Sequence, residues 1–284
     1  MYGANTSGEL RGDYSRTRPD FTIDQDPHGY TAAEQAMWCQ LYRRQSAIAQ
    51  RYACPEFLEG LRLLDVADGI PDLNRVSEAL NARTRWRLVA VPGFIPDAVF
   101  FEHLSKRCLP VTIWLRRPEE MDYLVEPDIF HDFFGHVPML FHPVFAEYVQ
   151  LYGLRGLEAA NANALPLLAR LYWYTVEFGL IETAAGLRTF GAGILSSAGE
   201  TPYSIESPEP RRVRFVAERV MRTQYTIDTY QKTYFAVRSL EQLHDAVAHD
   251  LRPTFARLAG AETLDPSRLY PGDEALPASR RAAA

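Results

Sequence analysis

Glu126-Pro127-Asp128-Ile129-Phe130-His131-Asp132-Phe133-Phe134-Gly135-His136-Val137-Pro138 is the stretch on which the reading of this chain turns. Pro127 suits the first turn of a helix, and Gly135 followed by Pro138 suits its end, so a helix is expected over about 127–134. Two histidines five apart on an unbroken α-helix stand about 140° apart, because each residue turns ~100°. They would not share a ligand. A helix that ends at Gly135 lets the chain fold His136 back toward His131, so that both imidazoles reach one ion. Asp128, three residues before His131, is placed to accept the second ring N–H and fix the tautomer, the usual outer support for a ligating histidine. For the two histidines alone, packing or capping roles explain the residues equally well.

A third residue changes the balance. Glu177 lies in Leu171-Tyr172-Trp173-Tyr174-Thr175-Val176-Glu177-Phe178, one of the most apolar and aromatic parts of the chain. A carboxylate buried there is expensive unless its charge is compensated. A cation is the simplest compensation, and a buried arginine is the plainer alternative. Two histidines and one carboxylate with open coordination positions suit ferrous iron and oxygen chemistry, although catalytic zinc uses the same ligand types. A zinc hydrolase with water as nucleophile therefore stands as the rival chemistry; the absence of an H-E-x-x-H helix weighs against it.

Outward from this centre the pattern is mostly helical. Thr31-Ala-Ala-Glu34 has the spacing of a capping box, and Met37, Trp38, Leu41 and Tyr42 continue a helical period to about Tyr52. Phe57, Leu58, Leu61 and Leu64 repeat it, and another helix is expected over 73–82. Short strands are expected at Arg87–Val91, ended by Pro92-Gly93, and at Val111–Trp114. Helix is then predicted over 143–154, through the apolar run 165–187, over 212–223 and over 240–251. Arg211-Arg212-Val213-Arg214 is read as a solvated face of the third of these. The fold class is mainly α, a single domain with a few short strands and no internal repeat. Residues 1–28, rich in Gly, Ser, Asp and Arg, read as an arm that drapes over the domain or stays mobile. The catalytic domain spans 29–270, and 271–284 read as a disordered tail.

Composition bounds the function. At 284 residues and 47% hydrophobic content the chain can build one large core. Cys39, Cys54 and Cys108 lie far apart without C-x-x-C spacing, which points to reduced thiols in a cytoplasmic protein. No apolar run of about 18 residues suggests a membrane span. A net charge of −6, with 30 basic and 36 acidic residues intermixed, gives no footprint for nucleic acid. No leucine heptad makes a coiled coil, so a monomer is expected.

At the metal-binding residues the sequence resembles the pterin-dependent aromatic amino acid hydroxylases, most of all their short bacterial phenylalanine 4-hydroxylase members. The likeness rests on Glu-Pro-Asp-Ile-x-His-x-x-x-Gly-His-Val-Pro at 126–138, Trp-x-Thr-Val-Glu-Phe-Gly at 173–179 and Gly-Ala-Gly-x-Leu-Ser-Ser at 191–197. It covers about Val91 to Val237 and implies the catalytic fold of that family. It implies that His131, His136 and Glu177 bind Fe(2+), with O2 at an open site, and that tetrahydrobiopterin supplies two further electrons. Phe100 matches the ring that stacks on the pterin, Gly93 and Ile95 match positions whose backbone meets its edge, and Asp132 and Tyr172 line its pocket.

Arg116 matches the arginine that clamps the amino acid carboxylate, a task that suits a planar guanidinium. Trp173 and Ser196 match residues beside metal and substrate, and Tyr123 a substrate neighbour. Leu124 departs from the animal phenylalanine hydroxylases, which carry a hydroxyl there near the substrate amine. Tyr234-Phe235-Ala236-Val237 lacks the acidic residue of tyrosine-preferring members, which tilts the substrate toward phenylalanine. Tryptophan is the nearest rival within the family.

Overall fold

Thr31 opens the first long helix as its sequence predicts: its hydroxyl accepts the Glu34 N–H at 3.2 Å, while the Glu34 carboxylate accepts the Thr31 N–H at 2.8 Å. The computed structural model describes residues 11–122, 124, 126–226 and 229–279. In it α1 (Ala32–Tyr52) buries Trp38 and Leu41 completely. α2 (Pro55–Arg62) and α3 (Leu73–Thr84) follow, and α3 leads into β1 (Arg87–Val91), α4 (Asp97–Ser105) and β2 (Cys108–Thr112). β1 and β2 pair in parallel from Arg87↔Cys108 to Val91↔Thr112.

The second strand therefore lies earlier than the expected Val111–Trp114. Beyond Thr112 the chain leaves the ladder: the Trp114 indole N–H donates to the Pro92 carbonyl at 3.1 Å, and the Trp114 carbonyl accepts the Ile129 N–H at 2.9 Å. These two bonds tie the β1 end to the start of the metal-binding segment.

α5 (Pro143–Asn161) outruns its expected end at 154 and packs against α4, burying Phe145, Tyr148 and Tyr152. The apolar run 165–187 is not one helix. α6 (Leu165–Tyr172) passes into a wider turn over Trp173–Glu177, and β3 (Leu180–Thr183) and β4 (Gly186–Thr189) then form an antiparallel hairpin. Burial on both faces removes the alternation that marks a strand, so Leu180 and Ile181 read as more helix. α7 (Ala192–Leu195) and α8 (Glu200–Glu206) come next.

The expected helix over 212–223 is instead β5 (Arg211–Arg214) followed by α9 (Ala217–Arg222). Arg212 is not on a solvated face: it is 3% exposed, and its guanidinium donates to the carbonyls of Ser204 at 2.7 Å and Ser207 at 2.8 Å, closing the end of α8. Arg214 pairs with Glu182 and Glu274. After β6 (Thr233–Val237) come α10 (Leu240–Ala248), α11 (Arg252–Leu258) and β7 (Ala275–Leu276).

The five-stranded sheet runs β4-β3-β6-β5-β7, with β6 parallel to both β3 and β5. β7 lies in the segment expected to be a disordered tail. It pairs with β5, and the Ser279 N–H donates to the Ile205 carbonyl at 3.1 Å, so residues 275–279 are held by backbone bonds that composition does not signal. At the other end Ile23 donates its N–H to the Ala90 carbonyl at 2.9 Å, laying the arm along β1. Among the described residues no helix is long and apolar enough to cross a membrane, and Cys39, Cys54 and Cys108 are free thiols.

Candidate active site

Two π turns build the centre. The segment expected to stop at Gly135 runs on through His131–His136 as a π-helix. The π turn closes its hydrogen bond between residues five apart, so His131 and His136 come to one face, which an α-helix forbids and which needs no chain reversal. Gly135 serves packing instead of a stop: a Cβ there would lie 2.8 Å from the Ala192 carbonyl oxygen, so α7 rests directly on the widened turn. Trp173–Glu177 is the second π turn, sealed by the Phe178 N–H on the Trp173 carbonyl at 2.8 Å.

The two π turns bring one ligand atom each from His131, His136 and Glu177 within 4.8 Å of one another. His136 Nε2 is 3.2 Å from Glu177 Oε1, and His131 Nε2 is 3.6 Å from Oε2. Glu177 is 1% exposed, and neither of its oxygens makes a hydrogen bond. Such a carboxylate is costly without a cation. Burial raises the Glu177 pKa, but His136 and His131 outweigh it and hold the carboxyl well below its ordinary range. Burial likewise disfavours a charged His131, yet Asp132 and Glu177 overcome it and push its pKa up to about 10. Two nitrogens, one unpartnered carboxylate and this demand for positive charge fit a divalent metal.

The outer support differs from the expected one. His131 Nδ1 faces Asp132 Oδ1 at 3.2 Å, not Asp128. Asp132 is itself held by the Thr112 N–H at the end of β2, 2.8 Å from Oδ2. Asp128 is fully buried and accepts the His131 backbone N–H at 2.9 Å. Its remaining capacity goes to Arg116, whose Nε and Nη2 each stand 2.9 Å from a carboxylate oxygen. Arg116 Nη1 lies 3.4 Å from the Met121 carbonyl. The arginine expected at the substrate carboxylate is thus fixed by a buried bidentate pair, and sequence spacing gave no sign of its partner twelve residues on.

A cleft open to solvent is lined by Gly93, Ile95, Phe100, Asp132, Tyr172 and His136, among others. All five residues expected at the pterin therefore share one cavity with a metal ligand. Phe100 stands edge-on to Tyr172 at 5.8 Å between centroids. Trp173 is buried and stacked on Phe178 at 5.6 Å and on Tyr225 at 5.0 Å. Ser196 ends α7 and donates to the Gly193 carbonyl at 3.3 Å; a Cβ on Gly193 would lie 3.2 Å from Glu177 Oε2, which places this loop against the carboxylate. Tyr123 lies outside the described residues. Sequence reasoning missed Thr112 and Tyr225, neither of which carries a local signal.

Fold and site together define a metal-dependent enzyme with a cofactor cleft, and a family model described as biopterin-dependent aromatic amino acid hydroxylase matches residues 23–256. The chain belongs to that family. It is similar to the phenylalanine-4-hydroxylase of Ralstonia nicotianae, 53% identical over 93% of this chain and 85% of that one. It also resembles the Chromobacterium violaceum phenylalanine hydroxylase structure with bound iron(III) and oxidised 7,8-dihydrobiopterin. That match has a TM-score of 0.89 and 53% identity, over 92% of this chain and 95% of that one. The iron- and phenylalanine-bound structure of the same enzyme matches at a TM-score of 0.88 and 52% identity, covering 92% and 96%.

Proposed function

We infer that the chain is a phenylalanine 4-monooxygenase, converting L-phenylalanine to L-tyrosine with O2 and tetrahydrobiopterin at an Fe(2+) centre held by His131, His136 and Glu177. The observation that carries the reading is the buried Glu177 carboxylate, without a hydrogen bond, between two imidazoles, one of which, His136, lines the cleft. The named activity of the relatives and the ligands in the Chromobacterium structures support the same substrate and cofactor.

Bound iron would supply oxygen activation, and the reduced pterin the two electrons needed beyond those of the ring C–H. The protein's own contribution is positional. Asp132 accepts from His131 Nδ1, which leaves the Nε2 lone pair free to ligate. Glu177, 1% exposed, contributes one negative charge, so a divalent metal held there would keep a net positive charge. Phe100 offers a ring face for the pterin, and the backbone at Gly93 and Ile95 offers its edge.

Arg116 carries five N–H donors, of which Asp128 takes two through the side chain. A third faces the Met121 carbonyl, and the remaining two are available for the substrate carboxylate, with the guanidinium plane already fixed. Trp173 and Ser196 form the substrate side. The enzyme is expected to act as a cytoplasmic monomer, in keeping with its free thiols.

The test uses ¹⁸O2 with anaerobically iron-loaded protein, tetrahydrobiopterin and either phenylalanine or tryptophan. Labelled tyrosine formed in step with pterin oxidation is expected. Labelled hydroxytryptophan with no tyrosine would change the substrate, and no incorporation would refute the reading.

A further inference from the structure

We propose that the N-terminal arm braces the cofactor cleft, with Tyr14 as a positioning residue that sets tetrahydropterin affinity through the Phe94 carbonyl. The inference rests on the hydroxylase reading and adds a role for a segment outside the 23–256 match.

In the turn Pro92–Ile95, Gly93, Phe94 and Ile95 line one wall of the cleft, and Gly93 has φ +155°, a backbone setting that side chains rarely adopt. From behind, the turn is held at two carbonyls. The Tyr14 hydroxyl donates to Phe94 O at 3.0 Å, and the Trp114 indole donates to Pro92 O at 3.1 Å. The arm fixes both donors. Arg11 stacks over the Trp114 ring at 4.2 Å and pairs with Glu120 at 2.6 Å, while its backbone N–H donates to Glu126 Oε2 at 3.3 Å. Gly12 lies so close to Pro92 that a Cβ would overlap its carbonyl oxygen. A Cβ on Gly93 would meet Glu126 Oε1 at 2.8 Å and the Tyr14 hydroxyl at 2.9 Å, so these two groups fill the space behind that α-carbon.

Neither Tyr14 nor Arg11 lines the cleft. Their effect passes through a peptide plane: in a trans peptide the C=O and the following N–H point in opposite directions. Drawing Phe94 O toward Tyr14, away from the cleft, turns the Ile95 N–H the other way. The brace thus sets the direction of a donor at the edge where a pterin ring would lie.

The experiment compares the full, iron-loaded chain with its Tyr14→Phe and Arg11→Ala variants. Loss of one such bond is worth roughly three- to tenfold in affinity. Tyr14→Phe should raise KM for tetrahydrobiopterin by that factor while kcat and KM for phenylalanine stay within about twofold. Hydrogen exchange in a peptide spanning 92–95 should speed up in both variants with no pterin present. Unchanged exchange there, an unchanged pterin KM, or KM values that rise alike for pterin and phenylalanine would each overturn the brace. A wild-type protein without pterin-dependent turnover would overturn the hydroxylase reading instead, and exchange at 92–95 would still judge the brace.

Discussion

Replacing Asp128 by Asn should separate the structural and metal-positioning parts of this site. Asp128 accepts four hydrogen bonds at 2.9 Å, three from Arg116 and one from the His131 backbone N–H, and it is 0% exposed. Asparagine keeps one acceptor oxygen, turns an NH2 toward donors, and leaves a 7% exposed guanidinium without its counter-charge. Breaking one side of a buried pair costs about 3–5 kcal/mol, which for a chain of this size lowers Tm by roughly 6–20 °C. Iron affinity should fall about 10–100-fold as His131 loses its anchor.

Denaturant unfolding of metal-free protein and iron titration read the two effects separately. The double variant Asp128→Leu with Arg116→Met should recover most of the stability, because it removes the uncompensated charge, yet not the iron affinity. Burial raises the Asp128 pKa, but Arg116 outweighs it and holds the carboxyl below the ordinary aspartate value. Its contribution is therefore present above that value and lost as pH falls through the lower folded value. A stability loss below about 1 kcal/mol with unchanged iron affinity would refute the reasoning, because it lies far under the cost of a stranded buried charge.

Three other substitutions probe separate elements. Gly135→Ala drives a methyl group into α7 and should cost about 1–3 kcal/mol, with weaker metal retention, measured by melting and metal analysis. Phe100→Ala should raise KM for tetrahydrobiopterin about tenfold with little change in KM for phenylalanine; equal effects on both would remove its assignment to the pterin. Glu200 is 6% exposed and accepts from Tyr234 Oη at 2.6 Å, and burial pushes its pKa up to about 7 despite that bond. A raised carboxyl pKa makes the folded state lose stability as pH rises from about 4.5 to 7, by about 3 kcal/mol. Glu200→Gln should flatten that slope in stability measurements at pH 5, 6 and 7, and an unaltered slope would assign it to other groups.

What the sequence showed and hid follows from the range of each signal. The capping box at Thr31, the strand at Arg87–Val91 and the conjunction of His131, His136 and Glu177 are legible because local residue types carry them. The way the histidines meet was not, since a π turn has no composition of its own; the expected stop at Gly135 put the right residues together by the wrong geometry. β3 was hidden because Leu180 and Ile181, buried on both faces, continue the apolar run of α6. Arg212 reads as a surface charge until the carbonyls at the end of α8 are seen around it. The Arg116–Asp128 pair and the hold of Thr112 on Asp132 are tertiary, and no spacing rule predicts either.

The most direct test is a titration of metal-free protein with Fe(2+), following tyrosine formation from phenylalanine, tetrahydrobiopterin and O2, beside a parallel titration with Zn(2+) and the Glu177→Ala variant. Activity should rise linearly to one iron per chain, zinc should bind without turnover, and Glu177→Ala should keep its helix content while losing both iron and product. Turnover with zinc, turnover without metal, or full activity in Glu177→Ala would contradict the three-ligand iron centre.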